Sequence, residues 1–154
     1  MIVISNSSPL IALSSIDALF ILKSLFDVVY IPEAVFIETV ENTPKPEQAK
    51  RILRAISEKY LIVKAPKKKH LFKRKIDMGE RDVLNLALEL NPNFVLLDDK
   101  KARKEAIDLG IKNTLLYTST VLKLAEKEGF IKSYDEAMKN LSIQNNFIPE
   151  DESL

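Results

Sequence analysis

The sequence has no cysteine, a single histidine, three glycines and a formal net charge of only +1. Each shortage removes a class of function. Without cysteine there is neither a disulfide framework nor a thiolate metal site, which fits a reducing compartment while permitting others, and the cytoplasm is the default expectation. The single histidine, His70, lies in a lysine-rich run, so no Cys-His pattern suggests zinc, and it reads as a surface residue and not as a catalytic base. The glycines are scattered and form no phosphate loop, which leaves P-loop nucleotide hydrolysis unsupported. With 23 basic against 22 acidic residues the molecule is not a polycation, so any nucleic-acid contact must come from local clustering.

Long apolar runs are missing too. The stretch from Pro9 to Ile31 is rich in Leu, Ile and Phe, but Asp17, Lys23 and Asp27 interrupt it, so it reads as soluble core and not as a membrane span. The chain enters Ile2-Val3-Ile4 with no basic region and no small-residue cleavage site before it, and a secretory signal is not expected.

The 46% apolar content over 154 residues supports one packed domain. Short apolar runs at Ile2 to Ser5, Val28 to Ile31, Leu61 to Val63, Phe94 to Leu97 and Thr114 to Leu116 predict strands, each being too short for a buried helix. Helical spacing separates them, most clearly over Glu80 to Leu90, where Val83, Leu86, Ala87 and Leu90 share a stripe. Helices are also expected after Pro32, over Glu47 to Lys59 and over Lys100 to Leu109, the last stopped by Gly110. This alternation predicts an α/β fold with a mainly parallel sheet covered on both faces. The domain is expected over residues 1–148, with residues 149–154 as a flexible acidic tail.

In an open parallel sheet, ligands bind outside the carboxyl ends of the strands. Ser5-Asn6-Ser7-Ser8 follows the first run, Asp98-Asp99 follows the fourth, and the helix before that run opens with Gly79-Glu80. Two readings fit Glu80: an inward-facing metal ligand, or a first-turn acid stabilised by the helix dipole with Gly79 or Asp77 at the cap. Asp82 points away from the stripe and reads as surface. One of Asp98 and Asp99 can be an N-cap, but a cap needs one carboxylate, and two adjacent acids repel unless solvated or shared with a cation. Glu38 reaches the sheet edge only if its helix packs close. Asn6 can ligate a cation through its carbonyl oxygen but adds no charge. Such a set suits phosphodiester hydrolysis, in which Mg²⁺ or Mn²⁺ polarises the phosphate and activates water.

The one strongly basic segment runs from Lys64 to Lys75 and carries Lys67, Lys68, Lys69, Lys73 and Arg74 around His70, Leu71 and Phe72. It could grip phosphates while Phe72 or His70 stacks on a base, or it could be a solvated, mobile loop.

Together these segments resemble PIN domains, in particular a prokaryotic branch. The resemblance rests on Val3-Ile4-Ser5-Asn6-Ser7-Ser8-Pro9-Leu10-Ile11-Ala12-Leu13, Tyr30-Ile31-Pro32-Glu33-Ala34-Val35 with Glu38, Gly79-Glu80 with Ala87, and Leu97-Asp98-Asp99-Lys100-Lys101-Ala102-Arg103, in that order. It implies a three-layer α/β/α sandwich, a homodimer, and a Mg²⁺- or Mn²⁺-dependent ribonuclease acting on RNA, a class that includes the toxins of toxin–antitoxin pairs, each with an antitoxin partner. It also implies that Asn6, Glu38, Glu80 and Asp99 hold the four acidic positions, with Asp98 beside the last and Ser7 as the hydroxyl residue after the first. Asn6 departs from the family's aspartate. The rival expectations are a catalytically degenerate module that binds RNA or a protein, and, more remotely, a phosphoryl-accepting receiver domain, whose acidic pair would follow the first strand.

Overall fold

The computed structural model describes residues 1–111 and 114–145. Strands β1 (Val3–Ser5), β2 (Val29–Ile31), β3 (Leu61–Val63), β4 (Phe94–Leu96) and β5 (Leu115–Leu116) form one sheet in the order β3-β2-β1-β4-β5, with every pairing parallel. Val3, Ile4, Val29, Ile31, Val95 and Leu96 are fully buried. Unbroken apolar runs are what strands covered on both faces require.

The helices are α1 (Ser7–Ser15), α2 (Phe20–Phe26), α3 (Glu33–Phe36), α4 (Pro46–Ser57), α5 (Met78–Leu90), α6 (Lys100–Asp108), α7 (Thr118–Lys127) and α8 (Tyr134–Asn145). Helix α1 packs on α4, α7 and α8, and α2 packs on α7, whereas α5 packs on β1 and α6. These two groups are the outer layers of an α/β/α sandwich. Right-handed crossovers explain the division, because the chain steps from β1 to β3 in one direction and then reverses through β4 to β5. The apolar stretch from Pro9 onward does not form one long helix: α1 and α2 meet at 119°. Among the described residues no single helix is long and apolar enough to cross a membrane.

Local chemistry sets the ends. Helix α5 stops at Asn91 in the left-handed conformation (φ 48°), which asparagine tolerates better than most residues. Gly110, at φ +85°, ends the α6 region as its position predicted. Helix α3 continues into a π-helical turn over Ile37–Glu41, a widening often found at functional sites. The acidic tail expected at 149–154 lies outside the described residues.

Candidate active site

The strand order reverses between β1 and β4. The crevice at their carboxyl ends is therefore the switch point where open α/β sheets bind ligands. Asn6 leaves β1 with its N–H on the Leu96 carbonyl of β4 (3.0 Å), and Leu97 N–H meets the Leu116 carbonyl of β5 (3.0 Å). The ladder thus carries Asn6, Asp98 and Thr118 to one edge. Asn6, Ser7, Glu38, Asp77, Glu80, Asp98 and Asp99 line a cavity of about 380 Å³ there. Every acidic position expected from the sequence is brought to this cavity, and so is Asn6.

Each carboxylate is held differently. Glu38, on the π-helical turn, accepts the Ser7 hydroxyl at 2.8 Å, so its helix does pack close to the sheet edge. Asp99 caps α6, with Oδ1 accepting Ala102 N–H at 2.8 Å. Asp77 caps α5, accepting Glu80 N–H at 2.8 Å. Both cap readings therefore hold, and neither removes the carboxylate from the cavity. Asp98 is buried, with Oδ1 accepting Thr118 N–H (2.8 Å) and Oδ2 accepting the Thr118 hydroxyl (2.6 Å). Burial pushes its carboxyl above the usual range. The Thr118 groups, the Ser8 hydroxyl and the charge of Arg103 oppose that push without cancelling it. Arg103 lies behind the site, donating to the Leu97 carbonyl at 2.8 Å and stacking 3.6 Å from the Tyr117 ring centre.

Glu80 is strongly perturbed as well. Burial, then a carboxyl–carboxyl hydrogen bond with Asp77, then the charges of Asp77 and Asp99 push its pKa to about 8. At neutral pH and without a cation, Glu80 keeps its proton. Among the described residues no three carboxylate or imidazole side chains form a ready-made metal cluster. The donor chemistry nevertheless suits a hard divalent ion. Mg²⁺ is usually held by one or two carboxylates, with water and substrate phosphate completing its shell.

Some roles were missed in the sequence. The sequence marks Asp77 only as a cap, does not single out Thr118 or Ser8, and shows Arg103 only as part of a motif. Thr118 could have been found by the same strand-end reasoning that found Asp98, since it comes two residues after β5.

The surface placement of Asp82 is corrected by the structure. Asp82 is 6% exposed and accepts from Asn85 Nδ2 at 3.1 Å and from the Lys69 ammonium. The basic segment lies across that side of α5 and covers it. That segment is also not a loop standing free in solvent. Lys67 N–H donates to Glu89, His70 N–H to Asn85, and the N–H groups of Lys73 and Arg74 to Glu105. His70 is half-buried, with Nδ1 3.1 Å from Asn85 Oδ1. Of the cations expected to meet nucleic acid, Lys69 is paired with Asp82, and Arg74 with Glu105 (2.9 Å) and Asp108 (2.8 Å). Lys67, Lys68 and Lys73 are exposed.

A family model described as a PIN domain matches residues 2–153. The chain belongs to the PIN domain family. PIN domains are generally nucleases. Among solved structures, this PIN domain resembles a PilT N-terminus domain protein from the hyperthermophilic archaeon Sulfolobus solfataricus. The two are 17% identical with a TM-score of 0.52, over 81% of this chain and 93% of that one. At that identity the likeness concerns the fold alone. No curated protein matches the chain.

Proposed function

We propose that this PIN domain is a Mg²⁺- or Mn²⁺-dependent endoribonuclease. The observation that carries the reading is Glu80, a carboxyl held protonated by burial and by Asp77 and Asp99 at the switch point of the sheet. A divalent ion held there would relieve the same crowding as the proton does and would take its place. Glu80 and Asp99 would hold the ion, Asn6 would offer its carbonyl oxygen, and Asp98 would assist. The bound ion supplies polarisation of the phosphate and activation of water. The protein's own contribution is placement. Thr118 fixes Asp98, the α6 cap fixes Asp99, and Ser7 turns Glu38 toward the cavity, where its carboxylate can orient the attacking water.

The test is cleavage of single-stranded RNA by purified protein with Mn²⁺. Activity should disappear with EDTA and with Glu80→Ala or Asp99→Ala. Absence of Mn²⁺-dependent cleavage, or cleavage that these substitutions leave unchanged, counts against the reading. The homodimer, the antitoxin partner and the toxin role belong to the same proposal and draw on the family resemblance, and the cytoplasmic setting draws on the lack of cysteine.

A second reading is a degenerate module that binds RNA or a protein without cutting. Asn6 favours it, because the amide brings no negative charge to a site that has no ready-made ligand cluster among the described residues. RNA binding that survives EDTA, with cleavage appearing only in Asn6→Asp, would select it.

A further inference from the structure

Helix α5 separates two cavities of opposite character. Asp77 and Glu80 line the acidic cavity described above, while their chain neighbours Ile76 and Arg81 line a second cavity of about 340 Å³. The chain from Ile76 to Arg81, at the start of α5, therefore contributes to the walls of both cavities. The walls of the second come from the basic segment and include His70, Phe72, Lys73, Arg74 and Lys75.

The segment is built onto the domain. Glu105 on α6 is 2% exposed, yet it accepts Lys73 N–H at 2.9 Å and Arg74 N–H at 3.1 Å as well as the Arg74 guanidinium. Lys101 Nζ reaches the Lys75 carbonyl at 3.2 Å, and Asn85 holds His70. Arg74 is therefore occupied as a clasp. Lys73, Lys75 and Arg81, in contrast, are exposed and make no ion pair among the described residues. Three cations are thus presented by a backbone that is already in place, beside a carboxylate cleft. An acidic cleft by itself repels a polyanion, and nearby fixed positive charge compensates for that.

We propose that Lys73, Lys75 and Arg81 form a phosphate-binding track that takes the backbone of a single-stranded RNA next to the phosphate in the cleft, with Glu105 as the positioning residue that holds it open. The track differs from a general Lys64 to Lys75 patch, because Lys69 is already paired with Asp82 and Arg74 with Glu105 and Asp108, while Arg81 comes from α5. A mobile strand suits it: phosphates reach the cations while a base stacks on half-buried Phe72 or His70. The identity of the strand as RNA rests on the nuclease reading above, but binding and cutting are separable.

The experiment is binding of a fluorescent single-stranded RNA oligonucleotide in EDTA, titrated at several salt concentrations, with the full chain. Lys73→Ala/Lys75→Ala/Arg81→Ala should weaken binding at least tenfold and reduce the salt slope by about 2, since each single-strand phosphate contact contributes roughly 0.7. Lys67→Ala/Lys68→Ala should have a much smaller effect. Glu105→Gln makes the protein more positive, so simple electrostatics predicts tighter binding; the track predicts weaker binding, with thermal unfolding measured alongside to verify the fold. An unchanged Kd and slope in the triple variant overturns the proposal, as does polyglutamate competing as well as RNA, which would mark an acidic-peptide surface. Binding in EDTA that follows these predictions in a protein that never cleaves RNA leaves the track standing and removes only the nuclease reading.

Discussion

Asp77 accepts the backbone N–H of Glu80 at 2.8 Å while the two side-chain carboxyls share a hydrogen bond at the mouth of α5. One aspartate therefore both starts the helix and adds to the burial that keeps its neighbour protonated. With a pKa of about 8 against an ordinary 4.5, Glu80 must release a proton when an ion binds. Mn²⁺ affinity should rise with pH up to about 8 and then level off. Calorimetry in buffers of different ionisation enthalpy should record the released proton, and Glu80→Gln should abolish it.

The same shift governs stability without metal. Between about 4.5 and 8 the folded protein holds a proton on Glu80 that the unfolded chain has lost. The Glu80 contribution is thus complete below 4.5 and is lost as pH rises through 8. Urea unfolding across that window should show this decline in the parent protein, and Glu80→Gln should remove its share. Saturating Mn²⁺ should reverse the trend.

Asp99 has two duties that one pair of substitutions can separate. Asn caps a helix about as well as Asp, whereas Ala costs about 1 kcal/mol. Asp99→Asn should therefore leave unfolding nearly unchanged while weakening Mn²⁺ binding, and Asp99→Ala should lose both. Equal destabilisation by the two would show that the carboxylate charge, and not the cap, is what α6 needs.

Thr118 anchors the buried Asp98 carboxyl. Thr118→Val removes the hydroxyl that donates to Asp98 at 2.6 Å, and leaving a buried acceptor without its donor costs about 1–3 kcal/mol. A loss of that size in urea unfolding is expected, together with a further rise in the Asp98 pKa because one of its opposing donors has gone. Thr118→Ser keeps the donor and should restore most of the stability.

Much of the site was legible because its residues stand beside strand ends, and strand ends can be read from short apolar runs. Asn6, Asp98 and Asp99 were found in this way, and the shared stripe marked Glu80. The Ser7 contact to Glu38 spans 31 residues and depends on how α3 packs, which no local pattern encodes. Asp82 shows the converse. It lies off the apolar stripe of α5, but a distant segment covers that face, so a residue with polar spacing is buried.

Burial periodicity and an ordered motif set are properties of neighbouring residues, so the alternation of strands and helices, the parallel sheet and the family can be read along the chain. Which carboxylates share a cavity, which caps also face it, and which cations of the basic segment are already paired are settled by the folded packing. Those outcomes depend on contacts between residues far apart in the chain, where burial and like charge set the protonation of Glu80 and where Glu105 clasps the segment that leads to the cleft.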